Sequence, residues 1–383
     1  MTTEKLNILA FVTQLEDPRS RYSPHSFIEI VMMTICAVIC GQFEWDEIYE
    51  FCIEHEEWFK NKLKLKLENK IPSKFTFARV ISSIDSNHFS RIFTEWIQAT
   101  YPPKENKVIA IDGKSLLGSY PEHKGKNLIH LVNAIACDNG ITLAQLTVAD
   151  KENEIVAIPK LLDYLDIKGS IITMDAMGSQ KNIAELIRSK NAHYVFAIKS
   201  NRKNFYISLE KLFKEALESE TSFKQKRYSN KIDNHGRIEE RTCVVVPALQ
   251  LEAKQMEEVE LWKDLKSVAM IEYTQTEKNT GVVKKETRFF ISSLNPDAEK
   301  IAQSVREHWY IENKLHWILD VVYKEDDSRI RTGFAPHNLS AIKKLTLNLL
   351  KLDQTYQKSI KQKQRKALMN KGFLELLLGI KDV

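Results

Sequence analysis

Lys107-Val108-Ile109-Ala110-Ile111-Asp112-Gly113-Lys114-Ser115 divides the chain, because helical spacing before it gives way to short, continuously apolar runs after it. Four apolar residues ending in a carboxylate read as a buried strand with an acid at its carboxyl end. Residues 128–136 and 141–149 follow as further strands, separated by Asp138-Asn139-Gly140, a hairpin signal. A helix over 155–165 leads to Ile171-Ile172-Thr173-Met174-Asp175, and a helix over 182–190 leads to Tyr194-Val195-Phe196-Ala197-Ile198. Three antiparallel strands followed by two helical crossovers predict an α/β fold, a mixed five-stranded sheet with helices on its faces.

Working outward, residues 1–104 read as an all-α N-terminal domain, with apolar-periodic stretches over 27–41 and 45–66 and a third helix after Pro72-Ser73. That third helix starts as the second helix of a helix-turn-helix does, which makes Lys74 and Arg79 candidate DNA contacts; a plain bundle helix is the simpler alternative. Tyr101-Pro102-Pro103 breaks the pattern and marks a boundary. The sheet region 105–210 is followed by a strand-rich insertion over 211–294, a helical segment over 295–350 and a basic helical tail over 351–383. Asn295 reads as the cap of the helix that opens the fourth segment, with Pro296 in its first turn. The tail is expected to pack back or to meet a partner.

A length of 383 residues exceeds one ordinary core, and 43% hydrophobic residues suffice for packed cores. No stretch of eighteen apolar residues occurs, and the start Met1-Thr2-Thr3-Glu4-Lys5 lacks a leader pattern, so a cytoplasmic protein is expected. Five cysteines, odd in number and set in apolar segments, read as reduced core residues rather than a disulfide frame or a zinc site. The net charge of +5 is a weak pointer to nucleic acid, but its distribution is more telling. Basic clusters lie over 60–70, at Lys199, Arg202 and Lys203, and over 358–366.

Stepping by four and three through Ile301, Val305, His308, Glu312, Leu315 and Leu319 traces one apolar stripe that carries an acid. A carboxylate in a core-facing position needs a cation, a hydrogen-bond network or a metal to compensate it. Asp112 and Asp175 end neighbouring strands and could join Glu312 in an all-oxygen site of the kind Mg²⁺ or Mn²⁺ prefers. Other readings stand beside this one: Asp112-Gly113 as a turn, Asp175 as a helix cap, Glu312 paired with His308 or His316. Asp150 ends a strand equally well, so position alone does not choose among the three aspartates. Trp309 and Trp317 read as core residues.

The segments Ile111-Asp112-Gly113-Lys114-Ser115, Met174-Asp175-Ala176-Met177-Gly178-Ser179-Gln180 and His308-Trp309-Tyr310-Ile311-Glu312-Asn313, with Leu315-His316-Trp317-Ile318-Leu319-Asp320, together resemble bacterial insertion-sequence transposases of the DDE type. Within them the chain looks like the H-repeat-associated subfamily, with supporting matches at Asp17-Pro18-Arg19, His235-Gly236-Arg237-Ile238-Glu239, Glu325-Asp326 and Leu347-Asn348-Leu349-Leu350. The resemblance implies an RNase H-like core split by the insertion, and it selects Asp112, Asp175 and Glu312 over Asp150 as catalytic and metal-binding residues. It also implies two Mg²⁺ (or Mn²⁺) ions, hydrolysis at the transposon ends and strand transfer by a 3′-hydroxyl. Double-stranded DNA, both terminal inverted repeats and target, and a second copy of the chain in a synaptic complex are the implied partners, in the cytoplasm and on the nucleoid. Lys114, Lys199, Arg202, Lys203 and Asn313 fall near the motifs as candidate DNA contacts. The chain departs from the family pattern at Leu117, where Arg is common, and carries His308 and Leu319 where better-known relatives have the partners of the glutamate. A DNA-binding derivative that has lost transposition and a stand-alone nuclease remain the alternative readings.

Overall fold

The computed structural model describes residues 7–20, 23–102, 104–119, 128–148, 153–218, 224–234, 236–251 and 259–380. Asp150 and His235 lie outside them. Six helices come first: α1 (Ile8–Val12), α2 (Phe27–Ile39), α3 (Trp45–Glu54), α4 (Glu56–Asn61), α5 (Lys74–Ser83) and α6 (Ser86–Thr100). Helix α2 is buried along every residue from Ile30 to Ile39, so it is a central helix with no wet face. Asp85 caps α6 by accepting the His88 N–H, which starts that helix where the sequence turns periodic.

The sheet strands are β1 (Val108–Leu116), β2 (Ile129–Ala136), β3 (Ile141–Thr147), β4 (Ile171–Met174) and β5 (His193–Ile198), with α7 (Glu154–Asp163) and α8 (Lys181–Ser189) as the crossovers. Helix α9 (Lys203–Glu218) leads into β6 (Lys226–Asn234), β7 (Arg237–Pro247), β8 (Ser267–Glu277) and β9 (Val283–Ser292). The strand order is β3-β2-β1-β4-β5-β9-β8-β7-β6. Among the described residues only β1/β4 and β4/β5 are parallel.

The five expected strands are therefore present and adjacent, but the expectation of a five-stranded sheet is corrected to nine strands among the described residues. The insertion extends the same sheet, because β9 pairs with β5 from Val195↔Ser292 to Ile198↔Phe289. Without β9, β5 would present a row of unpaired backbone groups. That pairing joins residues almost a hundred positions apart, so no local pattern announces it. Strand β1 also runs straight through Asp112-Gly113, which rules out the turn reading.

The chain closes with α10 (Ala298–His308), a π-helical turn (Glu312–His316), α11 (Trp317–Val321), α12 (Ala335–Leu352), α13 (Ile360–Met369) and α14 (Lys371–Leu378). Asp297, not Asn295, caps α10, its carboxylate accepting the Lys300 N–H at 3.0 Å. Helix α12 packs on α2, α5, α6 and β3, joining the N-terminal helices to the sheet. Two buried asparagines make that joint specific. Asn338 Nδ2 donates to the Ile81 and Ile84 carbonyls, and Asn348 accepts the Thr142 N–H at 2.9 Å while donating to the Thr142 carbonyl at 2.8 Å. Since β3 is the sheet's edge, Asn348 stands in for a missing strand there.

The tail packs back. Trp58 Nε1 donates to Glu375 at 2.7 Å, and Lys363, inside the basic cluster, is buried and donates to the Leu350 and Asp353 carbonyls. All five cysteines are buried and unpaired by disulfides. Among the described residues, no helix is long and apolar enough to cross a membrane.

Removing the Asn348 amide leaves a buried N–H and a buried carbonyl without partners, each costing roughly 1–3 kcal/mol. Asn348→Ala is expected to lower the unfolding free energy by about 2–5 kcal/mol, read as a fall in the urea midpoint with little change in slope.

Candidate active site

Asp112 and Asp175 meet because of ladder register. Ile111 of β1 pairs with Met174 of the parallel strand β4, so Asp112, midway along β1, lies beside Asp175, just past the carboxyl end of β4. Four fully buried residues precede each aspartate and fix its strand in the sheet. Asp175 then turns the chain: its Oδ1 accepts the N–H groups of Met177 and Gly178 at 3.0 and 3.1 Å, and its carbonyl accepts from Ser179 Oγ at 2.7 Å. It does not cap α8, whose N-cap is Gln180.

Glu312 is not a buried acid. Its side chain is 60% exposed, and the apolar stripe passes through Ile301, Val305, Ile311, Leu315 and Leu319 instead. The reason is the π turn, in which the Trp317 N–H bonds back to the Glu312 carbonyl five residues earlier. The wider turn moves Ile311 into the core position and carries Glu312 to the rim, where water solvates it. Its carboxylate nevertheless faces the aspartates. Asp112, Glu312 and His316 each offer a ligand atom, and these atoms lie within 4.8 Å of one another. Glu312, Asp112 and Asp175 line one cavity of about 550 Å³ together with Lys199, His308 and Trp309.

The electrostatics follow from this crowding. Burial, then the charges of Glu312 and Asp175, push the Asp112 carboxyl up to about 7. Such mutual repulsion is relieved by a divalent cation, and the donor set is one that Mg²⁺ or Mn²⁺ accepts, so the residues fit a metal centre. His308 plays a different part. Its Nδ1 lies 3.0 Å from Thr173 Oγ1, and burial holds it down at about 4 despite Asp175 and Glu312, so it is a neutral packing group behind the site.

A fourth carboxylate, Glu154 at the start of α7, escaped the sequence reading. A Cβ on residue 113 would lie 1.9 Å from Glu154 Oε1, so the glycine after Asp112 makes room for that acid. Burial raises the Glu154 carboxyl and Asp175 raises it further. In the sequence it looks like any first-turn acid.

The basic candidates separate sharply. Lys114 is buried, its Nζ 2.6 Å from Asp320 and 3.4 Å from Asp326, and so ties β1 to the end of α11 rather than facing a ligand. Arg202 donates to the Ser179 carbonyl and to Gln180 Oε1 and lies over the Trp262 ring, which braces the turn after Asp175. Lys199 and Lys203 are exposed, Lys199 on the cavity itself. Asn313 is exposed on the neighbouring groove between α10 and the insertion strands. Lys74 pairs with Asp46, and Arg79 is exposed one helical turn further on. Trp309 and Trp317 are 48% and 56% exposed, contrary to the core expectation, with Arg288 4.3 Å above the Trp309 ring.

Residues 103–349 match the family described as the transposase DDE domain, and residues 9–97 match the one described as DDE_Tnp_1-associated. The chain belongs to the DDE transposase family. It is 38% identical, over 97% of its length and 94% of the relative's, to the Escherichia coli O157:H7 protein named "Putative transposase YncI". It is 35% identical, over 98% of both, to "H repeat-associated putative transposase YhhI" of Escherichia coli K12. The insertion-sequence resemblance and its H-repeat branch thus hold across nearly the whole DDE transposase chain.

Because the folded chain raises the Asp112 carboxyl from its ordinary 3.8 to about 7, the folded state holds this proton more tightly than the unfolded state does. Stability is therefore lost as pH rises between those values, and Asp112→Asn removes the loss. In EDTA, the melting temperature of the wild type is expected to fall relative to Asp112→Asn across that window. Mg²⁺ added near about pH 8 should raise the wild type alone. Parallel melting curves for the two proteins would refute the assignment.

Proposed function

We propose that Asp112, Asp175 and Glu312 are the catalytic carboxylates of an RNase H-like core in this insertion-sequence transposase, and that they hold two Mg²⁺ (or Mn²⁺) ions. The carrying observation is the Ile111↔Met174 register, which sets the two aspartates side by side under the Glu312 turn. The order β3-β2-β1-β4-β5, with antiparallel and then parallel neighbours, supports the core assignment. In this reading β6 to β9 are the insertion between the second and third acids. Residues 1–104 are a DNA-associated helical domain, 105–210 and 295–350 the two parts of the core, and 351–383 its tail.

Bound divalent ions supply charge neutralisation for the phosphodiester and activation of the attacking oxygen. The chain supplies the rest. Asp112, central in the cluster, would hold the ions together with Asp175 and Glu312. The Asp175 turn and its Arg202 brace hold the second acid in place, and Lys199 stands on the rim to meet a phosphate. Water adds to phosphorus at the element's end, and the departing 3′-oxygen leaves as a hydroxyl. That hydroxyl then attacks a second phosphodiester, displacing its 3′-oxygen in turn. The implied substrates are duplex terminal repeats and target DNA on the cytoplasmic nucleoid, held by two copies of the chain. Lys199, Lys203, Asn313, Lys74 and Arg79 are exposed or rim positions suited to phosphate contact, whereas Lys114 and Arg202 serve by bracing.

Asp112→Asn is expected to reduce Mg²⁺-dependent nicking of a duplex bearing the element's terminal repeat by about 10³-fold or more, with strand transfer from pre-cut ends lost as well. Undiminished nicking would sink the assignment. Nicking of unrelated duplexes at the same rate as the terminal repeat would favour a general nuclease.

A further inference from the structure

His316 shares a cluster of ligand atoms with Asp112 and Glu312, yet the carboxylate reading gives it no role. It is buried, 7% exposed, one turn beyond Glu312 in the π segment. Its Nδ1 lies 3.4 Å from Glu312 Oε2 and 3.9 Å from Asp112 Oδ2. Neither spacing is that of a good hydrogen bond, whose N–H···O distance centres on about 2.9 Å. Both fall between the spacings of two ligands of one small octahedral cation, about 3.0 Å for adjacent and about 4.2 Å for opposite donors with bonds near 2.1 Å. The set whose ligand atoms fall within 4.8 Å contains His316 and not Asp175.

The floor of the site agrees. Nε2 of His316 is buried and lacks a hydrogen-bond partner among the described residues, so Nδ1 is the atom through which this imidazole can act. Asn133 lies directly across the ladder from Asp112, fully buried, with both amide atoms likewise unpartnered. Buried polar groups of this kind are normally satisfied, and they line the same side of β1 and β2 as the Asp112 carboxylate.

We propose that His316 Nδ1 is a direct ligand of the divalent ion held between Asp112 and Glu312. That position then offers two carboxylates and one imidazole, while the position beside Asp175 keeps an all-oxygen set. Imidazole suits Mn²⁺ and later ions better than Mg²⁺, so the two positions differ in metal preference, and the Glu312 side favours Mn²⁺. The inference rests on the carboxylate reading above but is separable from it.

The test uses the full-length protein with Mn²⁺ and no DNA. Electron spin-echo spectroscopy is expected to show nitrogen coupling to the bound ion, lost in His316→Gln and kept in His308→Gln. Mn²⁺ affinity should fall by about tenfold or more in His316→Gln while Mg²⁺ affinity changes by less than about threefold. Bound Mn²⁺ without nitrogen coupling in the wild type overturns the proposal, and that measurement stands even if His316→Gln does not fold. Unchanged Mn²⁺ affinity in a folded His316→Gln overturns it too. Asp112→Asn separates the two layers: if it abolishes Mn²⁺ binding and nicking but no nitrogen coupling is seen, only the His316 proposal fails. If it binds Mn²⁺ as the wild type does, the carboxylate site itself is wrong.

Discussion

Mutual repulsion among carboxylates beside Asp112, midway along β1, is the constraint around which this molecule is arranged. Asp112 feels Glu312, Asp175 and Glu154 at once, in a site dry enough to push its carboxyl up to about 7. Among the described residues nothing in the immediate cluster neutralises that charge, since His316 is itself pushed down by burial and His308 is neutral. The fold must therefore hold the acids together by force applied elsewhere. A divalent cation removes the repulsion without requiring the scaffold to change, which is what preorganisation of a metal centre means physically.

The restraining forces come from behind the site. Lys114, two residues after Asp112 on the same strand, reaches Asp320 in the helix that follows Glu312, so one half-buried ion pair pins the Glu312 segment to the Asp112 strand. Glu325 and Lys344 form a second, fully buried pair, with Ser340 donating to Glu325. Pairs of this kind contribute little net stability, because desolvation offsets their attraction, but they penalise any arrangement that separates them. Here they set position more than stability. Helix α12 carries Ser340 and Lys344 and also locks β3 through Asn348, so the long buried helix links the edge of the sheet to the back of the acidic cluster.

The insertion is integral to the same sheet. Because β9 pairs with β5, Arg288 and Phe290 reach the cavity wall beside Trp309, and helix α10 spans from β1 and β4 to β6 and β7. The π turn at Glu312 answers two demands made on one helix. Ile301, Val305, Leu315 and Leu319 must face the core, and an acid must face the aspartates without being buried. One extra residue in the turn satisfies both.

Local pattern carried much of this. The acids after Ile111 and Met174, the hairpin at Asp138-Asn139-Gly140, the crossover helices and the buried cysteines were all legible, since strand burial and turn chemistry are short-range properties written in adjacent residues. The family motifs singled out Glu312 from far along the chain. What the sequence could not determine was geometry between distant segments. An α-helical stripe placed Glu312 in the core, because a π turn changes the period without changing the composition. Lys114 looked like a phosphate contact because its partner lies 206 residues away. Glu154 looked ordinary, His316 read only as a pairing partner for Glu312, and β9 gave no sign of joining β5. Each of these was decided by tertiary packing, where burial, register and charge compensation act between residues that the linear order does not bring together.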